Sequence, residues 1–131
     1  MPQRATGLDH VSFHVPPSRY EEVVKWYTAA LAPIGYSKQL DFGVACGFGI
    51  DKASADFWIG SKEGPEISGL HIAFKATDHE TVDKFHAEAI KAGGTCNGKP
   101  GIREMYHPNY YGAFVFDPMG NNIEVVDHQA H

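Results

Sequence analysis

Two imidazoles sit at matched places in this chain, and a carboxylate lies near its end. His10 stands near the start of the run GLDHVSFHV (7–15), His71 near the start of SGLHIAFKA (68–76), and Glu124 within IEVV near the end. Neutral imidazole nitrogens with one carboxylate suit a divalent ion such as Zn, Ni, Mn or Fe(II). Three protein ligands leave positions open for water or substrate, the requirement for Lewis-acid catalysis. Strand alternation puts His10, Ser12 and His14 on one face of the first run, and His71, Ala73 and Lys75 on one face of the second. Glu124 shares its face with Asn122 and Val126. If this face curls into a trough, His10, His71 and Glu124 converge as metal ligands.

A lone strand histidine is usually a hydrogen-bonded structural residue, and the chain has eight histidines. The case for a joint role comes from an internal repeat. EEVVKWYTAALAPIGY (21–36) aligns without a gap on ETVDKFHAEAIKAGGT (80–95), so each histidine-bearing run is followed by the same kind of segment. Both segments carry apolar residues at helical spacing: Val23, Trp26, Tyr27, Ala30 and Leu31, then Val82, Phe85, Ala89 and Ile90. Ser18 and Thr77 or Asp78 are expected N-caps, and Gly35 and Gly93 or Gly94 the stops. Strands are expected at 36–41, 44–50 and 56–60, and again at 95–99, 111–117 and 121–127. DPMGNN (117–122) reads as a hairpin turn between the last two. The expectation is a single α+β domain over 1–131: a β-α-β-β-β module at about 7–60, a polar linker at 61–68 and a second module at about 69–127. The stretch 98–112 is long for a connection, and long ordered loops are often functional.

Other residues could serve a reaction in the trough. His14 is the first choice for proton transfer because imidazole titrates near neutral pH, with anchoring of a strand end before Pro16 and Pro17 as its structural role. Lys75 could pair with an anionic substrate or sit solvated at a strand end. His107 and Tyr111 complete the catalytic candidates; Tyr110 and Arg103 are candidates for substrate binding. Tyr110 and Tyr111 alternate faces, and parity does not say which meets the trough. Arg103 and Glu104 would otherwise be surface residues. Trp58 aligns with Glu124 in the repeat, so an aromatic residue holds the symmetric fourth position; there it would favour an apolar or aromatic substrate. Asp56, on the same side of its strand, could substitute as a ligand. Phe42, Phe48 and Phe57 read as core.

The chain has 131 residues, enough for one full core, with 43% hydrophobic and 21% charged residues. Its 11 basic residues are scattered and outnumbered by 16 acidic ones, for a net charge of −5, which disfavours nucleic-acid or anionic-membrane partners. Cys46 and Cys96 lack CxxC spacing and read as free thiols in a reducing cytosol. No signal peptide or membrane span is visible, so a cytoplasmic location is expected.

Taken together, GLDHVSFHV, GLHIAFKA and FDPMGNNIEVV resemble the vicinal oxygen chelate superfamily, the glyoxalase I, bleomycin-resistance and extradiol-dioxygenase group, over nearly the whole chain. HPNYYGAFVFDPMGNNIEVV is similar to a widespread small subfamily. The resemblance implies tandem βαβββ modules forming a curved eight-stranded mixed sheet around a central trough, with metal ligands at His10, His71 and Glu124. It implies a small-molecule substrate whose neighbouring oxygens bind the ion, and a homodimer. Glyoxalase I members usually have four protein ligands, from which Trp58 departs; dioxygenase members commonly have longer chains. No glutathione-specific motif is visible. Two readings stand: a metal-dependent lyase, isomerase, transferase or dioxygenase, and a metal-free drug-sequestering pocket.

Overall fold

The computed structural model describes residues 9–66 and 69–131; the expected starts of the two histidine-bearing runs, Gly7–Leu8 and Ser68, and the linker's Ile67 and Ser68 lie outside them. The element order is β1 (Val11–Val15), α1 (Pro17–Leu31), β2 (Ser37–Asp41), β3 (Ala45–Gly49) and β4 (Ala55–Ser61), then β5 (His71–Ala76), α2 (His79–Lys91), β6 (Thr95–Ile102), β7 (Tyr111–Phe116) and β8 (Asn122–Asp127). The β-α-β-β-β pattern is therefore present twice. The eight strands are hydrogen bonded as two mixed sheets of four, ordered β1-β4-β3-β2 and β5-β8-β7-β6. In each, the first strand lies parallel to the last, and the remaining neighbours are antiparallel.

Alternation decides which face is covered. Phe13, Val15, Phe57, Ile59, Phe74, Ala76, Ile123 and Val125 join the helix residues Val23, Trp26, Tyr27, Leu31, Val82 and Phe85 in one buried cluster. The opposite face carries Ser12, His14, Ala73 and Lys75, all exposed.

The helix ends show where local rules hold. Asp78 caps α2, its carboxylate accepting the Thr81 N–H at 2.7 Å. α1 has no side-chain cap: Pro16 is the N-cap, Pro17 supplies the preset φ of the first helical residue, and Ser18 falls inside the first turn. Gly35 (φ 89°) follows the short 3₁₀ turn Ala32–Ile34 that ends the first helical segment, and Gly93 (φ 110°) follows the end of α2.

The irregular stretch after β6 is shorter than its sequence suggests. β6 runs on through Pro100 to Ile102, because it is an edge strand and its register shifts between Gly98 and Gly101, where a missing N–H costs no ladder bond.

Candidate functional site

β5 and β8 lie side by side with His71 opposite Asn122 and Ala73 opposite Glu124. This register brings His71 Nε2 to 3.2 Å from Glu124 Oε1; the imidazole is half exposed, whereas the carboxylate is only 2% exposed. His71 Nδ1 is 3.1 Å from the Asn122 carbonyl oxygen. A carbonyl oxygen only accepts, so Nδ1 carries a proton, and in the neutral tautomer Nε2 would turn its lone pair toward Glu124. Two acceptors this close repel unless something positive lies between them, either a second proton on the ring or a cation. Ligating histidines are commonly oriented by such a backbone carbonyl.

Glu124 is held from its other oxygen: Tyr110 Oη donates to Oε2. Burial, with the bond to Glu124 behind it, raises the Tyr110 phenol above its ordinary pKa, so it stays a donor. Phe114, opposite Glu124 on β7, lies alongside the His71 ring with centroids 6.3 Å apart. Sequence reasoning did not single out Phe114; counting alternation back across the DPMGNN turn would have placed it beside Glu124.

His10 and His71 line one cavity of about 340 Å³ with Asp9, Tyr36, Asp56 and Ala73. His10 turns Nδ1 onto Asp9 Oδ2 at 2.8 Å, and the donor atoms of His10, His71 and Glu124 do not all come within 4.8 Å of one another. The structure thus assembles His71 and Glu124 as a pair, with His10 on the same cavity. In donor type the His71–Glu124 pair, with His10 on the same cavity, suits a divalent ion.

In the other sheet Ser12 pairs with Trp58 as Ala73 pairs with Glu124, so Trp58 does hold the place equivalent to the carboxylate. Its Nε1 donates to the Ala55 carbonyl at 2.8 Å, and its ring stacks on Phe42. Gly47 lies opposite, where a Cβ would come within 2.6 Å of the indole. Asp56 accepts from Tyr36 Oη at 2.7 Å, the phenol's pKa being raised first by burial and then by that bond.

His14 lies over Gly60 and lines a cavity of about 220 Å³ with His10, Ser12 and Trp58. Lys75 is exposed on β5. His107 stands next to Tyr110; the Asn109 N–H donates to its Nδ1, which leaves Nε2 to donate to His128 Nδ1 at 2.8 Å.

Two expected roles do not match the placement. Tyr111 faces the helices: its Oη donates to Asp83 on α2 at 2.6 Å, a bond that with burial pushes its pKa up to about 12, so Tyr110 is the tyrosine on the Glu124 side. Arg103 directs its guanidinium onto the carbonyls of Lys99, Gly101 and Gly112 and over the Phe114 ring, so it fastens the loop to its strands.

The Glyoxalase/Bleomycin resistance protein/Dioxygenase superfamily profile matches residues 7–125. No curated protein matches the sequence significantly. Among solved structures, a glyoxalase/bleomycin resistance protein from Albidiferax ferrireducens T118 is 27% identical, with a TM-score of 0.74 over 90% of this chain and 97% of that one. A glyoxalase/bleomycin resistance protein/dioxygenase family enzyme from Burkholderia phytofirmans PsJN is 18% identical, with a TM-score of 0.70 over 95% of this chain and all (100%) of that one. Oxidase ChaP-H2 is 17% identical, with a TM-score of 0.69 and 96% coverage of each chain. The last two likenesses speak for the fold. A profile match spanning nearly the whole chain, on a doubled β-α-β-β-β frame, establishes that this protein belongs to the glyoxalase/bleomycin resistance protein/dioxygenase superfamily.

Proposed function

We propose that the chain is a metal-dependent enzyme of the glyoxalase type, acting on a small molecule that presents neighbouring oxygens to a divalent ion held by His10, His71 and Glu124. The observation that carries this reading is the approach of two potential ligand atoms, His71 Nε2 and the buried Glu124 Oε1, at 3.2 Å. When bound, a Zn, Ni, Mn or Fe(II) ion supplies Lewis-acid stabilisation of negative charge developing on a substrate oxygen. The protein's part is positional. Asn122 fixes the His71 tautomer, Tyr110 holds Glu124, and Phe114 offers an apolar wall. His14 and Trp58, which share a cavity wall with His10, are assigned to proton transfer and to stacking against the substrate. Lyase, isomerase, transferase and dioxygenase chemistry all fit this arrangement, and glutathione is compatible as a co-substrate.

The test is the metal content of protein prepared without a histidine tag. His71→Ala combined with Glu124→Gln should lower it by about one ion per chain. Unchanged content in that variant would overturn the reading. It would favour a metal-free sequestering pocket, to which the contact of His10 with Asp9 also lends support.

A cytoplasmic homodimer belongs to the same proposal. Exposed Phe42 and Val44 at the β2–β3 turn, and Met105 and Tyr106 before β7, offer apolar surface for a second copy. Sedimentation at micromolar concentration should give twice the chain mass.

A further inference from the structure

A second group of donors lies elsewhere in the fold, where the end of β8 and the residues after it meet the start of α2. His79, Asp127 and His131 bring one ligand atom each to within 4.8 Å of one another. Asp127 is fully buried, at 0% exposed, and its Oδ2 is approached by two imidazole nitrogens: His131 Nε2 at 2.6 Å and His79 Nε2 at 3.7 Å. Its other oxygen accepts the Gln129 N–H at 2.9 Å, which fixes the carboxylate plane.

The His79 imidazole is positioned from outside the group. The His79 ring lies flat on Tyr111, with centroids 3.7 Å apart and planes within 5°, and Tyr111 is itself tied to Asp83. The His131 ring stands nearly perpendicular to His79, at 87°. Each histidine side chain is about 40% exposed, so an ion has an entry path and water can complete its shell.

We infer that His79, Asp127 and His131 form a second, peripheral site for a borderline divalent ion of the zinc type. Two nitrogens and one oxygen, with a hydrogen-bonded carboxylate and a ring held by stacking, meet the demands of donor type and of outer support. Neither His79 nor His131 contributes to the cavity lined by His10 and His71. The ion's effect there is to clasp the segment after β8 onto the start of α2.

The experiment uses tag-free protein carrying His71→Ala and Glu124→Gln, so the site proposed for catalysis is silent. Calorimetric titration with Zn²⁺ alone should show about one ion per chain. Adding His131→Ala or His79→Ala should weaken binding at least about tenfold, and Tyr111→Ala by roughly tenfold, as for loss of outer-shell support. Asp127→Asn is the sharper variant but alters a buried group; the exposed His131 provides the test if that variant does not fold. Hydrogen exchange gives a second readout: Zn²⁺ should slow the amides of residues 128–131 in the background chain and not in its His131→Ala derivative. A background chain that takes up no Zn²⁺, or uptake undiminished by His131→Ala, would reduce the group to hydrogen bonds on a buried aspartate. Failure of the catalytic proposal would show differently, as equal metal content in the wild type and the His71→Ala, Glu124→Gln background.

Discussion

At the scale of single residues, the site depends on how a buried carboxylate is kept satisfied. Glu124 has Tyr110 Oη on one oxygen and His71 Nε2 near the other. Tyr110→Phe removes the donor and leaves Oε2 buried without its partner, which should cost about 1–3 kcal/mol in urea unfolding. The same variant should weaken metal retention, because the carboxylate loses its orienting partner. A variant as stable and as metal-competent as the wild type would show that the contact is incidental. The pairing of His71 with Glu124 was legible in the sequence, since period-2 alternation and the internal repeat put both on one face. The identity of the tyrosine was not. Tyr110 precedes β7 and ends the Arg103–Tyr110 turn, whose backbone closes through Arg103 N–H to the Tyr110 carbonyl at 2.8 Å, and alternation carries no information through such a turn. The His79, Asp127 and His131 group was equally hidden, because its members lie on a helix start, a strand end and the following segment, which share no periodicity.

At the scale of elements, the β7–β8 turn is fastened to α1 through Asp117, which Tyr27 reaches, and through the Pro118 carbonyl, which accepts from Arg19 at 3.0 Å. Asp117 Oδ1 accepts the N–H groups of Met119 and Asn121 at 2.8 and 2.7 Å, while Oδ2 accepts from Asn121 Nδ2 and from Tyr27 Oη. The DPMGNN pattern announced the turn. That its aspartate also reaches a buried helix tyrosine 90 positions earlier could not be read from local sequence. Tyr27 is buried beside this carboxylate, and burial first, then the Asp117 charge, raises its pKa well above the usual value of 10.0. The unfolded chain releases this phenolic proton near pH 10 while the native chain keeps it, so the unfolded state binds fewer protons above that pH. Stability contributed by the neutral phenol is therefore complete below pH 10 and declines as pH rises from there toward the folded value. Urea midpoints should fall as pH rises from about 9 to about 11, roughly one unit either side of the free phenol's pKa. Tyr27→Phe, though weaker at neutral pH, should show a shallower fall; equal slopes would assign the alkaline loss to other groups.

At the scale of the whole molecule, duplication explains the frame but not the chemistry, because the halves differ where it matters. The first sheet puts the indole of Trp58 opposite Gly47; the second puts Glu124 opposite Phe114. Each of these cross-strand pairs thus holds an aromatic ring, but on strands of different order, and only the second half has a carboxylate at that place. The repeat made this asymmetry visible in the sequence. It did not show how the halves hold each other, which depends on side-chain contacts between segments distant in the chain. Trp26 on α1, 1% exposed, donates from Nε1 to the Ala89 carbonyl of α2 at 3.1 Å, and Phe57 of β4 meets Phe74 of β5 edge to face at 5.5 Å. Both contacts belong to a single buried cluster drawn from the two modules. The modules should therefore unfold together, with far- and near-ultraviolet circular dichroism giving coincident thermal transitions. Trp26→Ala opens a large cavity at the α1–α2 contact and should destabilise the whole chain by about 3–5 kcal/mol while keeping one transition. Two separated transitions, in the wild type or the variant, would mean that each module carries its own stability and that the shared core does not couple them.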